Sequence, residues 1–330
     1  MTPQERINQR FAKDFNLPIN IFRNDIFEYY KNLYDFWPDA EWVALNNEIK
    51  NDYEGNMEAW LQHYAEVRDV IIRTLEESQA YKDFNTCDMS QYAVASTVRN
   101  YPDRNIYNQE CEGKIFLSID LKKANFQALK FAGVITDKTY DDFIDKFDKS
   151  FYFKKSKYTR QVIFGKLNPK RTITVEHYMM SLIFWQEKVM KAINYVGGKV
   201  VAFKSDEIIW ELDRQLKTRA LKTIENVIKL ELGFEVRAEC FRIHDLRIVN
   251  SNGNKVSAWV REDLNAGYGP ISGAPTEGVL KATSTTYFPQ VYKLWKGYPL
   301  EDLDLYFYHE DQLATFLEPL RFDYESKSDI

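Results

Sequence analysis

Two acidic positions stand where carboxylates can do chemistry. Asp120 ends KIFLSID, in which apolar residues alternate as in a strand with one buried face. Asp206 and Glu207 lie between the apolar segments 200–203 and 208–212, which predicts a hairpin with acids at its tip. Two neighbouring carboxylates can bind a pair of Mg²⁺ ions, which clamp the attacking and leaving oxygens in phosphoryl transfer. The sequence therefore predicts a site for two Mg²⁺ or Mn²⁺ ions, with Asp120 and Asp206 as metal ligands.

The most basic stretch of the chain, 154–171, lies between these acids. Seven of its 18 residues are Lys or Arg. A short helix over 156–167 would place Lys157, Arg160 and Phe164 on adjoining turns. Such a helix could hold a triphosphate opposite the acids. Alone, a Lys/Arg run usually marks a solvated face, so the prediction rests on the order of acid, basic helix and acid.

The elements that must position these residues indicate an α+β fold. Residues 1–97 show helical spacing of apolar side chains, including a predicted helix over 57–78. Strands are expected over 98–120, and a helix from 124. A longer helix is expected over 174–195, and another follows Asp213 and ends at Gly233. Strands then cover 234–249 and 255–260, and a last helix is expected over 309–317.

Three motifs in this order resemble the family A polymerases, the DNA polymerase I class. FLSIDLKKANFQALKF resembles motif A, and AFKSDEIIWEL resembles the motif C hairpin. KYTRQVIFG, between them, is similar to motif B of the fingers helix. The resemblance implies a palm, an antiparallel sheet backed by helices, over 98–264, with a reduced fingers insertion over about 135–195. Residues 1–97 would be a thumb-like or scaffold region, and 265–330 an extension that packs on the palm.

The resemblance also implies roles for individual residues. Asp120 and Asp206 would bind the metal ions, with Glu207 as a supporting catalytic acid. Arg160 would contact the triphosphate, and Phe164 would pack against the incoming nucleoside. The remaining candidates are Lys157 and Asn125 for the nucleotide, and Lys154, Lys155, Lys166, Lys170 and Arg171 for nucleic acid.

Four positions depart from the family pattern. Ser205 stands where motif C has His, and Asn125 stands where motif A has the Glu that screens the sugar. Asn168 replaces the fingers Tyr, and Ser156 replaces the upstream Arg. The leading hypothesis is a reduced, bacteriophage-type DNA polymerase that adds nucleotides to a 3′ end. A small RNA polymerase, a primase-like enzyme, a template-independent transferase and an inactive nucleic-acid-binding or structural protein stay open. A nuclease with the same acids would not need the basic helix.

The composition limits the setting in which this chemistry would occur. Three dispersed cysteines argue against a disulfide framework or a cysteine zinc site. No apolar run is long enough for a membrane span and the N-terminus is polar, so a cytoplasmic protein is expected, in the host if phage-encoded. The net charge of −5 means that a nucleic acid, DNA rather than RNA, would need a local basic patch. The small size favours a specialised task or accessory replication or transcription subunits.

Overall fold

The chain forms an α+β fold with an antiparallel sheet of six strands among its described residues. The structure, a computed structural model, describes residues 1–34, 40–265, 280–309 and 312–323. The α-helices described are α1 Pro3–Asp14, α2 Asn24–Leu33, α3 Ala40–Asp52, α4 Met57–Glu77, α5 Gln79–Thr86, α6 Ser96–Arg99, α7 Ala124–Phe131, α8 Tyr140–Ile144, α9 Phe151–Lys155, α10 Lys157–Lys166, α11 Pro169–Trp185, α12 Glu187–Tyr195, α13 Thr218–Leu232 and α14 Phe288–Lys296. The strands described are β1 Ile115–Leu121, β2 Lys199–Phe203, β3 Glu207–Leu212, β4 Val236–Asp245, β5 Ile248–Val249, β6 Lys255–Val256, β7 Trp259–Asp263, β8 Leu280–Lys281, β9 Tyr306–His309, β10 Gln312–Thr315 and β11 Arg321–Phe322.

The main sheet has the strand order β2-β3-β1-β4-β7-β8, and all its pairs are antiparallel. The predicted strand before Asp120 and the predicted hairpin are therefore confirmed as β1 and β2–β3. Because β1 lies between β3 and β4, the hairpin returns alongside β1. This topology places the tip of the hairpin next to the carboxyl end of β1.

One face of the sheet is covered by helices. Alternate residues of β1, Leu117, Ile119 and Leu121, belong to the large hydrophobic core. That core continues through α11 and α13 into the helices of the first 97 residues, where Trp60 and Ile71 are fully buried. Residues on both sides of the predicted boundary at 97/98 therefore share one hydrophobic core.

The opposite face is covered only in part. Phe116, Ile209 and Phe241 point to this side and pack with Ile106, which lies in the loop before β1. The predicted strands over 98–113 are wrong, because this segment forms α6, a 3₁₀ turn and a loop with a single bridge, Asp103 to Ala202. The loop covers the middle of the sheet, while Asp120, at the carboxyl end of β1, lines an open cavity.

Three helix predictions also differ from the structure. The helix expected over 174–195 is two helices, because Gln186 has extended backbone and its side chain accepts from the Val189 amide, which begins α12. The helix after Asp213 begins later, with Lys217 as its N-cap. The helix expected over 309–317 is absent from the described residues of that range: β9 and β10 form a hairpin there, and residues 310 and 311 lie outside the described chain.

The described part of 265–330 contacts both the sheet and the N-terminal helices. β8 pairs with β7 at the edge of the main sheet, and β11 pairs with β5. Helix α14 packs on the N-terminal region, where the ring of Tyr34 lies 5.5 Å from that of Phe288 and 5.1 Å from that of Tyr292. Over the residues described, none of the helices combines the length and apolar character that crossing a membrane requires.

Candidate active site

The sheet brings Asp120 and the hairpin acids together through backbone pairing. Asp120 is the register partner of Glu207 on β3 and of Arg237 on β4. The next amide, that of Leu121, donates a hydrogen bond of 2.8 Å to the carbonyl of Asp206. Asp120, Asp206 and Glu207 line one cavity of about 400 Å³ on the open face of the sheet. The two acids predicted from separate motifs therefore belong to one site.

Asp120 carries negative charge that its surroundings compensate only partly. Burial raises the pKa of its carboxyl to about 6, Arg237 opposes the rise, and Asp206 and Glu207 add to it. The Arg237 guanidinium stays 3.9 Å from the Asp120 carboxylate and contacts Glu239 more closely, at 3.2 Å. A bound cation would relieve the repulsion among the acids.

Glu207 is held by the neighbouring strand. Ser118 donates a hydrogen bond of 2.7 Å to one of its carboxylate oxygens, and the Lys204 ammonium lies 3.5 Å from the other. Ser118 and Asp120 are two residues apart on β1, so their side chains lie on the same face of the sheet. The bond from Ser118 therefore fixes Glu207 beside Asp120. The contacts are compatible with the supporting role predicted for Glu207.

Glu176 is an acid beside the site that the sequence reading missed. It lies on α11, is 3% exposed, and accepts a hydrogen bond of 2.9 Å from the Asn125 side-chain amide. Burial and the charge of Asp206 raise its pKa to about 7, although the Asn125 bond opposes this. Glu176 shares the helix face of Met179, Met180 and Ile183, and an acid on an apolar face was the signal that could have revealed it.

The short helix predicted over 156–167 is present as α10, but its side chains are arranged differently from the expectation. Phe164 is 2% exposed and packs with Phe126, Tyr140 and Phe143. Its ring is therefore a core element, closed to the nucleoside contact that the motif implies. Arg160 donates to the carbonyl of Lys155 at 3.0 Å and lies over the ring of Tyr140.

Arg160 nevertheless belongs to a group of cations close to the end of β1. Lys155 and Lys123 lie 2.7 Å and 3.3 Å from the carboxylate of Asp141. Burial lowers the pKa of Lys123; Asp141 opposes this, and the positive charges of Arg160 and Lys155 add to the lowering. Lys123 follows Asp120 by three residues and is the N-cap of α7. The three cations near one another, Lys123, Lys155 and Arg160, are here called the cationic group. Lys123 was not among the predicted residues.

The other predicted basic residues do not form one surface. Lys154 pairs with Asp145 at 2.7 Å, and Lys157 donates to Asn16 at 3.1 Å. Arg171 donates to the carbonyl of Cys87 and lies over Phe84. Lys166 and Lys170 are exposed. The expected patch for nucleic acid is thus divided between ion pairs, a core contact and solvent.

A different set of cations lines the cavity of the acids. The set consists of Arg104, Lys204, Arg237, Arg261 and Lys281, here called the cationic rim. Its members come from the loop before β1, the hairpin tip, β4, β7 and β8, and so are brought together only by the fold. No local run of basic residues could have revealed the rim.

The cavity offers few carboxylate ligands for a divalent cation such as Mg²⁺. Within the described ranges, no three His, Cys, Asp or Glu side chains are grouped so that they could hold a metal ion. Mg²⁺ keeps several waters and needs only one or two carboxylates when substrate phosphates supply further oxygens. Asp120 and Asp206, which line the same cavity, supply that number of carboxylates.

Comparisons with known proteins identify no relative. No protein-family model, no curated protein and no solved structure matches the chain.

Proposed function

We propose that this chain is a metal-dependent nucleotidyltransferase that adds nucleotides to a nucleic-acid 3′ end, as a reduced, bacteriophage-type relative of the family A DNA polymerases. The observation that carries the proposal is the placement of Asp120 and Asp206 on adjoining backbone, lining one cavity on the open face of an antiparallel sheet. A helix-backed sheet of this kind, with acids at the end of its central strand, is the arrangement expected of a polymerase palm.

The proposed reaction forms a bond from the 3′ hydroxyl oxygen to the α-phosphorus of a nucleoside triphosphate. The bond from that phosphorus to the bridging oxygen breaks, and pyrophosphate leaves with the bonding electrons. Bound Mg²⁺ or Mn²⁺ would assist loss of the hydroxyl proton and stabilise charge on the pyrophosphate. Asp120 and Asp206 would hold the ions, and Glu207, positioned by Ser118, would support them.

The cationic group Lys123, Lys155 and Arg160 is suited to the triphosphate. Lys123 and Lys155 pair with Asp141, and Arg160 is influenced by the carboxylates of Asp14 and Asp141. Three cations thus lie near two carboxylates, and an anion entering there gains attraction from partly desolvated positive charges. We assign Arg160 its predicted phosphate role in this group and add Lys123. Lys157, which faces Asn16, and Phe164, which is buried, lie outside it.

Sugar preference falls to the pair Asn125 and Glu176. Asn125 occupies the position of the sugar-screening residue and is held by the buried Glu176 at 2.9 Å. An amide held in this way can present a hydrogen-bonding group without a negative charge, so ribonucleotides are retained as alternative substrates beside deoxynucleotides.

An incorporation assay tests the proposal. Wild type would be incubated with α-labelled dNTPs or NTPs, Mg²⁺ or Mn²⁺, and either a primer–template or single-stranded DNA. Incorporation is expected in wild type and should be lost in Asp120→Ala and Asp206→Ala. A requirement for template would identify a polymerase, and extension of single strands alone would identify a terminal transferase.

An inactive nucleic-acid-binding protein is the second candidate. The burial of Phe164 and the absence of a three-residue metal cluster among the described residues favour it. Folded wild type that binds DNA but incorporates no nucleotide under any of these conditions would establish this alternative.

A further inference from the structure

The cavity that holds Asp120 has more positive than negative side chains around it. The five residues of the cationic rim line it together with three acids, Asp120, Asp206 and Glu207. The chain as a whole has a formal net charge of −5. A local excess of positive charge in an acidic protein attracts anions to that part of the surface.

Two arginines of the rim are held in place by one glutamate. Glu239 on β4 lies 3.2 Å from the Arg237 guanidinium and 2.6 Å from that of Arg261. Arg261 is also stacked on Phe241, 3.7 Å from the centre of the ring. Arg237 remains 56% exposed. Because the guanidinium groups are fixed before a ligand arrives, less side-chain entropy is lost when a phosphate binds.

Arg104 differs from the other rim residues in having an available charge. Its backbone amide is bonded to the carbonyl of Val201, which ties the loop to β2. Its side chain is exposed, and no ion pair or hydrogen bond of its guanidinium occurs within the described portion of the chain. The Arg104 guanidinium can therefore bind an anionic ligand without breaking a contact within the described residues.

The rim extends across the whole width of the sheet. Arg104 lies beside β2 and Lys281 lies in β8, the two edge strands of the order β2-β3-β1-β4-β7-β8. In register, Lys281 pairs with Trp259, which pairs with Asp245, eight residues along β4 from Arg237, the partner of Asp120. The rim therefore draws its cations from positions spread along the strands as well as across the sheet. An anion with several phosphates along its length can contact more of these cations than a single phosphate group can.

We infer that the cationic rim binds the phosphodiester backbone of a nucleic-acid strand on the open face of the sheet, in the cavity that Asp120 and Asp206 also line. This inference rests on the proposed function, because it assigns a binding surface to the nucleic-acid substrate. It can be tested without nucleotide incorporation, because strand binding needs neither the metal ions nor a nucleotide. It also differs from the sequence prediction, which assigned nucleic acid to Lys154, Lys155, Lys166, Lys170 and Arg171.

Fluorescence anisotropy of a labelled twelve-residue oligothymidylate tests this surface. Binding would be measured in EDTA, without nucleotide, over a range of NaCl concentrations. For wild type, Arg104→Ala, Lys281→Ala and the double variant, the dissociation constant and its salt dependence would be compared. Each lost phosphate contact lowers the slope of log K against log salt by about 0.7 for a single strand, so the double variant should lose about 1.4.

Matched variants separate the rim from other basic positions. Arg219→Ala removes an exposed arginine from α13, on the helical side of the sheet, and should leave the slope unchanged. Lys166→Ala/Lys170→Ala removes two exposed cations of the basic segment and should also leave it unchanged. Circular dichroism melts would verify that each variant is folded. If Arg104→Ala does not fold, Arg104→Gln takes its place.

Three results would overturn the inference: wild type that does not bind the oligonucleotide at low salt, a double variant with the wild-type slope, or loss of slope in the Lys166/Lys170 variant instead. Competition with a nucleoside triphosphate tests whether the rim is a nucleotide site instead. Rim variants that lose affinity for the nucleotide but still bind the oligonucleotide like wild type would show that it is. If binding depends on the rim but no nucleotide is incorporated, the inference about the rim holds and the proposed transferase activity is wrong. If nucleotide is incorporated but the rim variants keep the wild-type salt slope, the transferase activity holds and the inference about the rim is wrong.

Discussion

Replacing Glu176 with Gln should stabilise the protein in a pH-dependent way. Glu176 is 3% exposed, and its pKa is raised from an ordinary value of 4.5 to about 7, chiefly by burial. Glutamine retains an oxygen that can accept the Asn125 amide, but it cannot ionise. The variant therefore isolates the cost of the buried charge.

The size and sign of the effect follow from linkage. The folded protein binds the Glu176 proton more tightly than the unfolded chain, so this group's contribution falls as the pH rises from about 4.5 to about 7. At pH 8 the difference between the two pKa values corresponds to about 3 kcal/mol in favour of Glu176→Gln. An unfolding entropy of about 2.1 cal/mol/K per residue gives about 0.7 kcal/mol/K for this chain, hence a rise in Tm of about 4 °C.

Calorimetric melts of wild type and Glu176→Gln at pH 5, 6, 7 and 8 provide the assay. The two Tm values should be close at pH 5 and separate progressively up to pH 8. Glu187→Gln is a matched control on the next helix, where the side chain is 76% exposed and its pKa is lowered by Lys191. That variant should not gain stability as the pH rises. A Tm difference for Glu176→Gln that is independent of pH, or a loss of stability at pH 8, would refute the reasoning.

Three further substitutions test the packing. Phe164→Ala should cost about 3–5 kcal/mol in urea unfolding, because it empties a site closed by three aromatic rings; a changed KM without lost stability would return Phe164 to nucleoside contact. Gly197→Ala should cost at least about 1 kcal/mol, since Gly197 has φ +73° and a Cβ there would collide with Asp213, and an unchanged Tm would contradict this. Lys293→Met should cost about 3–5 kcal/mol by leaving Asp304, whose side chain is 1% exposed, without its partner at 2.9 Å; a neutral result in urea unfolding would show that the pair is dispensable.

The parts of the fold that follow from local pattern were predictable. Alternation identified β1 and the β2–β3 hairpin, and the apolar stripe of α4 gave its bounds to within a residue. The αL glycine Gly233 ended α13 as expected. In each case the signal lies within a single element, where periodicity and capping act.

The errors in the fold occur where local turns, caps and strand propensity compete with the pattern from which an element was predicted. The aromatic strand β9 pairs with β10 in a hairpin, and its aromatic side chains favour a strand over the helix expected nearby. The loop before β1 has polar turns, such as the Tyr107 amide bonded to the Asn105 side chain, which replace ladder bonds. Helix α11 ends at Gln186 without any Gly or Pro to indicate the break.

The candidate site divides in the same way. Asp120 and Asp206 were found because one lies near the end of a strand and the other in a hairpin turn, and both patterns are local. Glu176 and the cationic rim were missed because their approach to the acids depends on how α11, β4, β7 and β8 assemble. Phe164 was assigned to a ligand because its motif position says nothing about the neighbours that bury it.

The central claim is that Asp120 and Asp206 act together on one set of ions in nucleotide transfer. The most direct measurement is the rate of nucleotide incorporation by wild type, Asp120→Asn, Asp206→Asn and the double variant, with folding verified for each. Loss of several kcal/mol of transition-state stabilisation should lower each single variant by about 10³-fold, and the double variant should fall little further because the residues form one unit. Near wild-type incorporation by either single variant, or losses that multiply in the double variant, would contradict the account.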